Sequence, residues 1–545
     1  MAEGLSKLYQ EVLEGRYDCV DRILLNGYFG LCHSAGGFRL WWRQLTGSDE
    51  TLDKTHLMRR AGRFSRRLRG YARAHGIPVV DCRPGEDKHR MAEEYLEKTK
   101  ISHGVFLILV GRAQAPVWDV SSHHHLEWKK PMPFVNHYSF HIVDRDWGHV
   151  TIKISGHPPF PAQIILNGHE YVACQARKAG LEFSKEGNCF TTIVNVAGLA
   201  KIADTLSESL AIGRLRQVCE RWIYSSCLCF ALDREEQEGS RFQYQYSIYQ
   251  IEYSRNLVFT EGRLMEEMFQ ALMDRSRSPL DVKKIKTILG VKRGPAQGAR
   301  RKKGVAWEVA VERPVYDLTI FKLRCSLFTL KIYTKGERVL RVETIAHNVK
   351  KLGCRYGLEK FPEIVRRLQG ILERFMDVLG CIDQCFLGDA TLEQLPAPSQ
   401  VGKTKVGGID FNRRRIRWAM EAVLALAPSP GGFTASQLAH QVRSRSQHSE
   451  SEYGPRHAAY DLKKLRGKQM VGRMEKTRRY RPIREGLRVI TALLTLRDKV
   501  LQPLLAAAQQ LRPSHGAQNP APIDRHYQTL RLGMEGVFHE LGIAA

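Results

Sequence analysis

Residues 290–304 read Gly-Val-Lys-Arg-Gly-Pro-Ala-Gln-Gly-Ala-Arg-Arg-Lys-Lys-Gly, with no apolar periodicity and with cations set among glycines. Such a stretch has nothing to bury and cannot join a packed core; it orders only against a partner such as a phosphate backbone. A proline-rich run, Leu395-Pro-Ala-Pro-Ser-Gln-Val-Gly402, breaks the chain a second time. The 545 residues are therefore built in modules, and a hydrophobic share of 43% is enough to give them cores.

Periodicity within the modules predicts an α+β protein. Residues 1–125 read as an α/β domain. In it, Leu57–His75 has helical spacing, with arginines opposite an apolar face, and Gly104–Gly111 is a continuous apolar run of the kind that forms a buried strand. Residues 126–289 read as strands over Asn136–Val143, His149–Ser155 and Ala162–Leu166, followed by helices. Those helices are expected at Leu199–Ile212, at Leu215–Leu232, around Tyr249 and Tyr253, and at Glu261–Arg275. After the basic linker, 305–395 holds a hairpin around Lys335-Gly336 and a helix over Lys360–Leu379. A linker over 396–409, a helical module over 410–500 and a helical tail over 501–545 complete the expected order.

Lys and Arg number 84 against 57 Asp and Glu, a formal charge of +27. Cations in such excess gain affinity for a polyanion by releasing its counterions, so the expected partner is nucleic acid, DNA before RNA. Met1–Gly15 carries Glu3, Glu11 and Glu14 and lacks the apolar core of an export signal, and no window is long and apolar enough to span a bilayer. The twelve cysteines form no C-x-x-C pair and sit mostly in apolar runs, as core thiols of a reduced cytoplasm do. A cytoplasmic protein without a membrane role is expected.

The C-terminal module is the most explicit. Between Val401 and Val500, 22 Lys/Arg face 8 Asp/Glu, a local excess of 14. Thr434-Ala-Ser-Gln-Leu438, Ala458-Ala-Tyr-Asp-Leu-Lys-Lys-Leu-Arg-Gly-Lys468 and Arg478-Arg-Tyr-Arg-Pro482 together resemble a winged helix-turn-helix domain. The resemblance implies a recognition helix over Pro455–Gly467 in a major groove and a wing on the backbone or minor groove. The helix is expected to bury Ala459, Leu462 and Leu465 and to present Arg456, His457, Tyr460, Lys463, Lys464 and Arg466; Arg478, Arg479 and Arg481 lie in the wing. Further phosphate contacts are expected from Arg59, Arg63, Arg66 and Arg67, and from Arg300, Arg301, Lys302 and Lys303. The remainder resembles a set of uncharacterised bacterial proteins, through Pro158-Pro-Phe-Pro-Ala-Gln-Ile-Ile-Leu-Asn-Gly-His169, Ser247-Ile-Tyr-Gln-Ile-Glu-Tyr253 and the 331–343 segment. That resemblance extends the architecture and not the function; the expected role of the whole chain is DNA binding, in a mobile or plasmid-like element.

Three constellations point to chemistry. In the expected hairpin, period two puts Lys331, Tyr333 and Lys335 on one face of one strand, and Arg341 and Glu343 on one face of the next. A phenol, a carboxylate and several cations side by side suit strand nicking: the phenolate attacks phosphorus while the carboxylate holds Mg²⁺ or Mn²⁺. Tyr333-Thr-Lys-Gly336 and Leu340-Arg-Val-Glu343 resemble the strand pair of rolling-circle replication initiators, which implies nickase or recombinase activity. His137 and His141, sharing a strand face, form a candidate metal pair near Asp144 and Asp146. Tyr249 and Tyr253, four apart on an expected helix, are an alternative nucleophile pair.

Overall fold

The computed structural model describes residues 10–497 apart from 49, 122–124, 277–306, 316–317, 326–327, 353–355, 384–392, 430, 447–451 and 476, together with a few helical residues between 522 and 533. The protein is α+β and forms two compact units. One comprises Val12–Met265 and Lys322–Gln369; the other comprises Met1–Glu11, Glu266–Phe321 and Gly370–Ala545.

The first unit opens with β1 (Leu13–Tyr28), α1 (Ala35–Thr46), α2 (Lys54–Ala74), β2 (Val79–Asp81), α3 (Lys88–Lys98) and β3 (Gly104–Gln114). A small hairpin, β4 (Trp118–Val120) and β5 (Leu126–Trp128), precedes the meander β6 (Phe134–Asp144), β7 (Gly148–Ser155) and β8 (Ala162–Asn167). Then come α4 (Gly168–Lys178), the hairpin β9 (Phe183–Glu186) and β10 (Cys189–Ile193), α5 (Val196–Asp204), α6 (Leu210–Trp222), α7 (Arg234–Gly239) and β11 (Gln245–Phe259). Farther along the chain, helix α8 (Gly262–Ser276) and strands β12 (Trp307–Val315) and β13 (Leu318–Cys325), which fall largely within the other unit's bounds, precede the hairpin β14 (Thr329–Lys335) and β15 (Val339–Ala346) of this unit and then α9 (Phe361–Asp383).

The sheet of this unit runs β14-β15-β11-β1-β8-β7-β6-β3-β2. Every neighbouring pair is antiparallel except β2 with β3. Strands from 1–125, 126–289 and 305–395 thus share one sheet, although the sequence separates them into three modules. The cause is non-local: β1 is central and takes as its neighbours β8 and β11, which lie far along the chain. Helix α4 comes close to β1 because residue 168 is glycine; a Cβ there would lie 1.7 Å from the Val20 carbonyl oxygen. Helix α2 buries Leu57, Phe64, Leu68 and Ala72, and Phe64 stacks on Tyr138 with ring centres 4.5 Å apart.

The C-terminal unit contains the strand pair β16 (Ser399–Val401) and β17 (Thr404–Val406), so the segment expected as a linker over 396–409 is partly a hairpin. Helices α10 (Arg414–Leu426), α11 (Ala435–Ser446) and α12 (Pro455–Gly467) follow, then the hairpin β18 (Val471–Arg473) and β19 (Tyr480–Pro482), and α13 (Arg484–Thr495). Phe433 bridges to Tyr480 beside that hairpin. Thr434 and Gln437 cap α11 reciprocally, the Gln437 N–H donating to Thr434 Oγ1 and the Thr434 N–H to Gln437 Oε1. The core gathers Met420, Val423, Leu438, Val442, Leu462, Leu465, Ile490 and Leu493.

Three local expectations are corrected. Tyr249 and Tyr253 lie in β11, not on a helix; the β-branched and aromatic residues of Ser247–Tyr253 pair along β1. The helix expected over Leu199–Ile212 is interrupted at 205–209, between α5 and α6. Helix α12 buries Ala458 with Leu462 and Leu465, leaving Ala459 exposed, because the inward stripe follows spacings of four and three.

Candidate functional site

Cross-strand register assembles a polar row on one face of the sheet. Lys331 lies opposite Glu343, and Glu343 opposite Ser254; Tyr333 lies opposite Arg341, and Arg341 opposite Asn256. On β1 the register slips between Val20 and Ile23, and Asp21 falls in this slip beside Glu252. One carboxylate oxygen from each of Asp21, Glu252 and Glu343 lies within 4.8 Å of the other two. The hairpin residues expected to act together are therefore brought together, and they are joined by Asp21, Glu252, His169 and Asn188, which sequence reasoning did not connect with them. The usable signal for Asp21 and Glu252 was an acidic residue inside an otherwise apolar strand pattern.

The cluster is tightly cross-linked. Lys331 Nζ donates to Glu343 Oε2 at 3.0 Å, and Arg341 Nε to Asn256 Oδ1 at 2.7 Å. Arg341 Nη1 reaches Asp21 Oδ2 at 3.4 Å, while Asn188 Nδ2 donates to the same oxygen at 2.7 Å. Lys335 donates to the Asn188 side chain, and Arg341 to its carbonyl. Arg341 Nη2 is 3.3 Å from His169 Nε2, a contact that needs a lone pair on that nitrogen. The His169 ring is buried, with Nδ1 3.3 Å from Asp21 Oδ1, and burial lowers its pKa while Asp21 opposes the shift.

Burial alone would raise the Asp21 carboxyl; His169, Arg341 and Asn188 reverse this and hold it well below the usual carboxylate range. Glu252 has less support. Burial first, then Glu343 and Asp21, push its carboxyl up to about 7, and its Oε1 accepts from Gln250. The Tyr333 phenol is raised by burial and by Glu343, so its anion is disfavoured in this setting. Burial lowers the Lys335 ammonium, with Arg341 adding to the effect. An all-oxygen set of three carboxylates suits Mg²⁺ or Mn²⁺, and its charge is balanced within the protein by Lys331, Lys335 and Arg341.

The other tyrosines are placed differently. Tyr253 lies on the opposite sheet face, where its hydroxyl donates to Asp18 Oδ2 at 3.0 Å and accepts from Gln369 at 2.8 Å. Tyr249, beside a register slip of β1, is exposed, so the two do not act as a pair. The expected metal pair is also corrected. His137 and His141 are four residues apart on a strand, roughly 13 Å, too far to share an ion. His137 Nδ1 instead faces the Val135 carbonyl, and His141 Nδ1 lies 3.1 Å from His149 Nε2 across the hairpin. Asp144 is occupied by Arg221, Trp222 and its own turn.

The expected nucleic-acid contacts divide into two sets. In the C-terminal unit, Arg456, Tyr460, Arg478 and Arg481 are exposed and Lys463 and Arg466 half-buried. Among the described residues no ion pair holds Arg456, Lys463, Arg466, Arg478 or Arg481. His457 and Lys464 are partly engaged, His457 Nδ1 accepting from the Gly454 N–H and Lys464 donating to the Gly408 carbonyl. Arg479 buries its Nη1 without a partner among the described residues. Helix α12 is held by buried Asp461, which accepts both prongs of Arg415 at 2.9 and 2.8 Å and the Tyr453 hydroxyl at 2.8 Å. On α2, Arg63 and Arg67 pair with Asp233, and Arg63 also with Glu236, whereas Arg59 and Arg66 are exposed. Arg300, Arg301, Lys302 and Lys303 lie outside the described residues.

No helix among the described residues is long and apolar enough to cross a membrane. No family model, curated protein or solved structure matches the chain.

Proposed function

We propose that this protein binds nucleic acid, DNA foremost, through α12 and the β18–β19 hairpin of its C-terminal unit acting as a winged helix-turn-helix. The supporting observation is a rigid helix whose inner face is tied down by Asp461, Arg415 and Tyr453 while Arg456, Tyr460 and Lys463 on its outer side keep their polar groups unspent. Unpaired guanidinium and ammonium groups on a preorganised helix can contact both phosphates and base edges. Duplex and structured-RNA libraries presented to the full chain, with bound sequences recovered at two salt concentrations, test the proposal. Enrichment of a duplex motif supports it; equal retention of every duplex and RNA defeats the specific form.

One observation favours a second, enzymatic reading: the Asp21–Glu252–Glu343 cluster beside Lys331 and Tyr333. A divalent cation held there would neutralise charge on a scissile phosphate. Lys331 and Lys335 would then hold the phosphate, and Arg341 would position Asp21 and the Tyr333 phenol. Supercoiled and single-stranded DNA incubated with the protein and Mn²⁺ would show relaxed circles and a covalent adduct that disappears in Tyr333→Phe. Cutting that survives this substitution removes the tyrosine from the chemistry and leaves hydrolysis by water as the form to test.

A further inference from the structure

Helix α2 lines a cavity of about 520 Å³ against the end of α1 and the segment that follows it. Its wall carries Arg59, Arg60, Arg63 and Arg66 from α2, and Thr51 opposite. Positions 59, 63 and 66 follow spacings of four and three, which place them on one helix face, and Arg60 lies beside them. Arg60 and Arg63 both donate to Glu236 Oε1 at 2.5 Å, so a single carboxylate orients two guanidinium groups. Asp233 takes a second prong of Arg63 and is shared with Arg67. No acid partners Arg59 or Arg66 among the described residues, so the wall retains excess positive charge. Thr51 Oγ1 accepts from Trp42 Nε1 at 3.1 Å, which leaves its hydroxyl hydrogen free to donate.

We propose that this cavity is a binding site for a phosphoanion: the pyrophosphate or terminal phosphate of a nucleotide or of a nucleic-acid strand end. Several forked donors converge on one volume, a geometry suited to phosphate oxygens rather than to a single carboxylate. The volume of this open cleft lies in the range of small-ligand pockets. Trp42 is 1% exposed and offers no open ring face to a base, while His56, held by Asp53, lines the rim. The site rests on and deepens the nucleic-acid proposal while belonging to the sheet unit, and pyrophosphate tests it without the C-terminal helix being engaged.

The test is calorimetric titration of the full chain with four probes: pyrophosphate, a nucleoside triphosphate, a 5′-phosphorylated oligonucleotide, and the same oligonucleotide with a 5′-hydroxyl. Saturable pyrophosphate binding is expected. Strand-end recognition adds a preference of about tenfold for the 5′-phosphate over the 5′-hydroxyl; nucleotide recognition shows tight triphosphate binding without that preference. The exposed pair Arg59→Ala/Arg66→Ala should weaken every phosphate probe by at least about tenfold with the fold intact. Glu236→Gln retains the shape of the α7 cap and removes the negative charge that Arg60 and Arg63 share, leaving Arg63 on Asp233 and Arg60 without an acid, so binding should tighten several-fold, a gain that a purely structural arginine cluster does not produce. Arg456→Ala should leave pyrophosphate binding unchanged even where duplex binding is lost, which separates failure of this site from failure of the C-terminal proposal. Absence of saturable binding to pyrophosphate and to the phosphorylated strand at millimolar concentration overturns the proposal, as does binding indifferent to the Arg59/Arg66 double variant.

Discussion

The sheet-face cluster and the outer side of α12 use the same residue types to opposite ends. Arg341 is fully buried and distributes its donors over Asn256, Asp21, His169 and Asn188, so none of its charge faces a partner molecule. Arg456 and Lys463 are held by nothing among the described residues. A desolvated cation is tolerable only when carboxylates and carbonyls replace its hydration, whereas a cation on a fixed scaffold in water keeps its binding capacity. The formal charge of +27 therefore overstates what the surface offers, because part of the arginine content serves the interior.

The contrast is broken most forcefully at Arg341. Arg341→Met strands Asp21 in a buried position and should cost about 3–5 kcal/mol in urea unfolding. Arg456→Ala should cost less than about 0.5 kcal/mol of stability. Equal stability of the two variants would mean that the cluster is open to water in solution.

Next in size is a pH effect at Glu252. An ordinary glutamate carboxyl titrates at 4.5, and this one is raised to about 7. Below the lower value both folded and unfolded chains are protonated, and Glu252 costs nothing. As pH rises towards 7 the unfolded chain releases its proton while the folded one resists, so stability falls. Glu252→Gln should abolish that fall, a difference of at most about 3 kcal/mol at pH 8 in the presence of a chelator. Urea midpoints measured across this pH range check it, and a wild-type curve as flat as the variant's removes the electrostatic crowding.

At the exposed end, Arg456→Ala or Lys463→Ala should cost about 1–3 kcal/mol of binding at the preferred duplex for each lost base contact. Arg481→Ala, in the hairpin, should weaken all duplexes alike and reduce the salt slope by about one counterion. Competition assays at several salt concentrations distinguish the two patterns. A small effect is expected at the ion-paired Arg63, half-exposed against Asp233 and Glu236, where Arg63→Ala should cost about 1 kcal/mol of stability or less.

Much of this was legible in the residues alone. The 3.6-residue stripe of α2 and the alternation of β14 and β15 around Gly336 depend on neighbours a few positions apart, and local sterics and burial decide them. The shared face of Lys331, Tyr333, Lys335, Arg341 and Glu343 follows from the same period.

Tertiary structure alone decided the rest. Tyr249 and Tyr253 became strand residues because β11 found β1 as its partner, and that pairing overrode helical spacing. Asp21 and Glu252 met Glu343, and His169 came over them, through the order of strands in the sheet and the close approach that Gly168 permits. The arginines of α2 were divided between ion pairs and an open cavity by Asp233 and Glu236, which lie far along the chain. Periodicity tells a residue which face it occupies but carries no information about which distant strand or acid will sit beside it; that is chosen when the whole sheet closes and every buried polar group must find a partner.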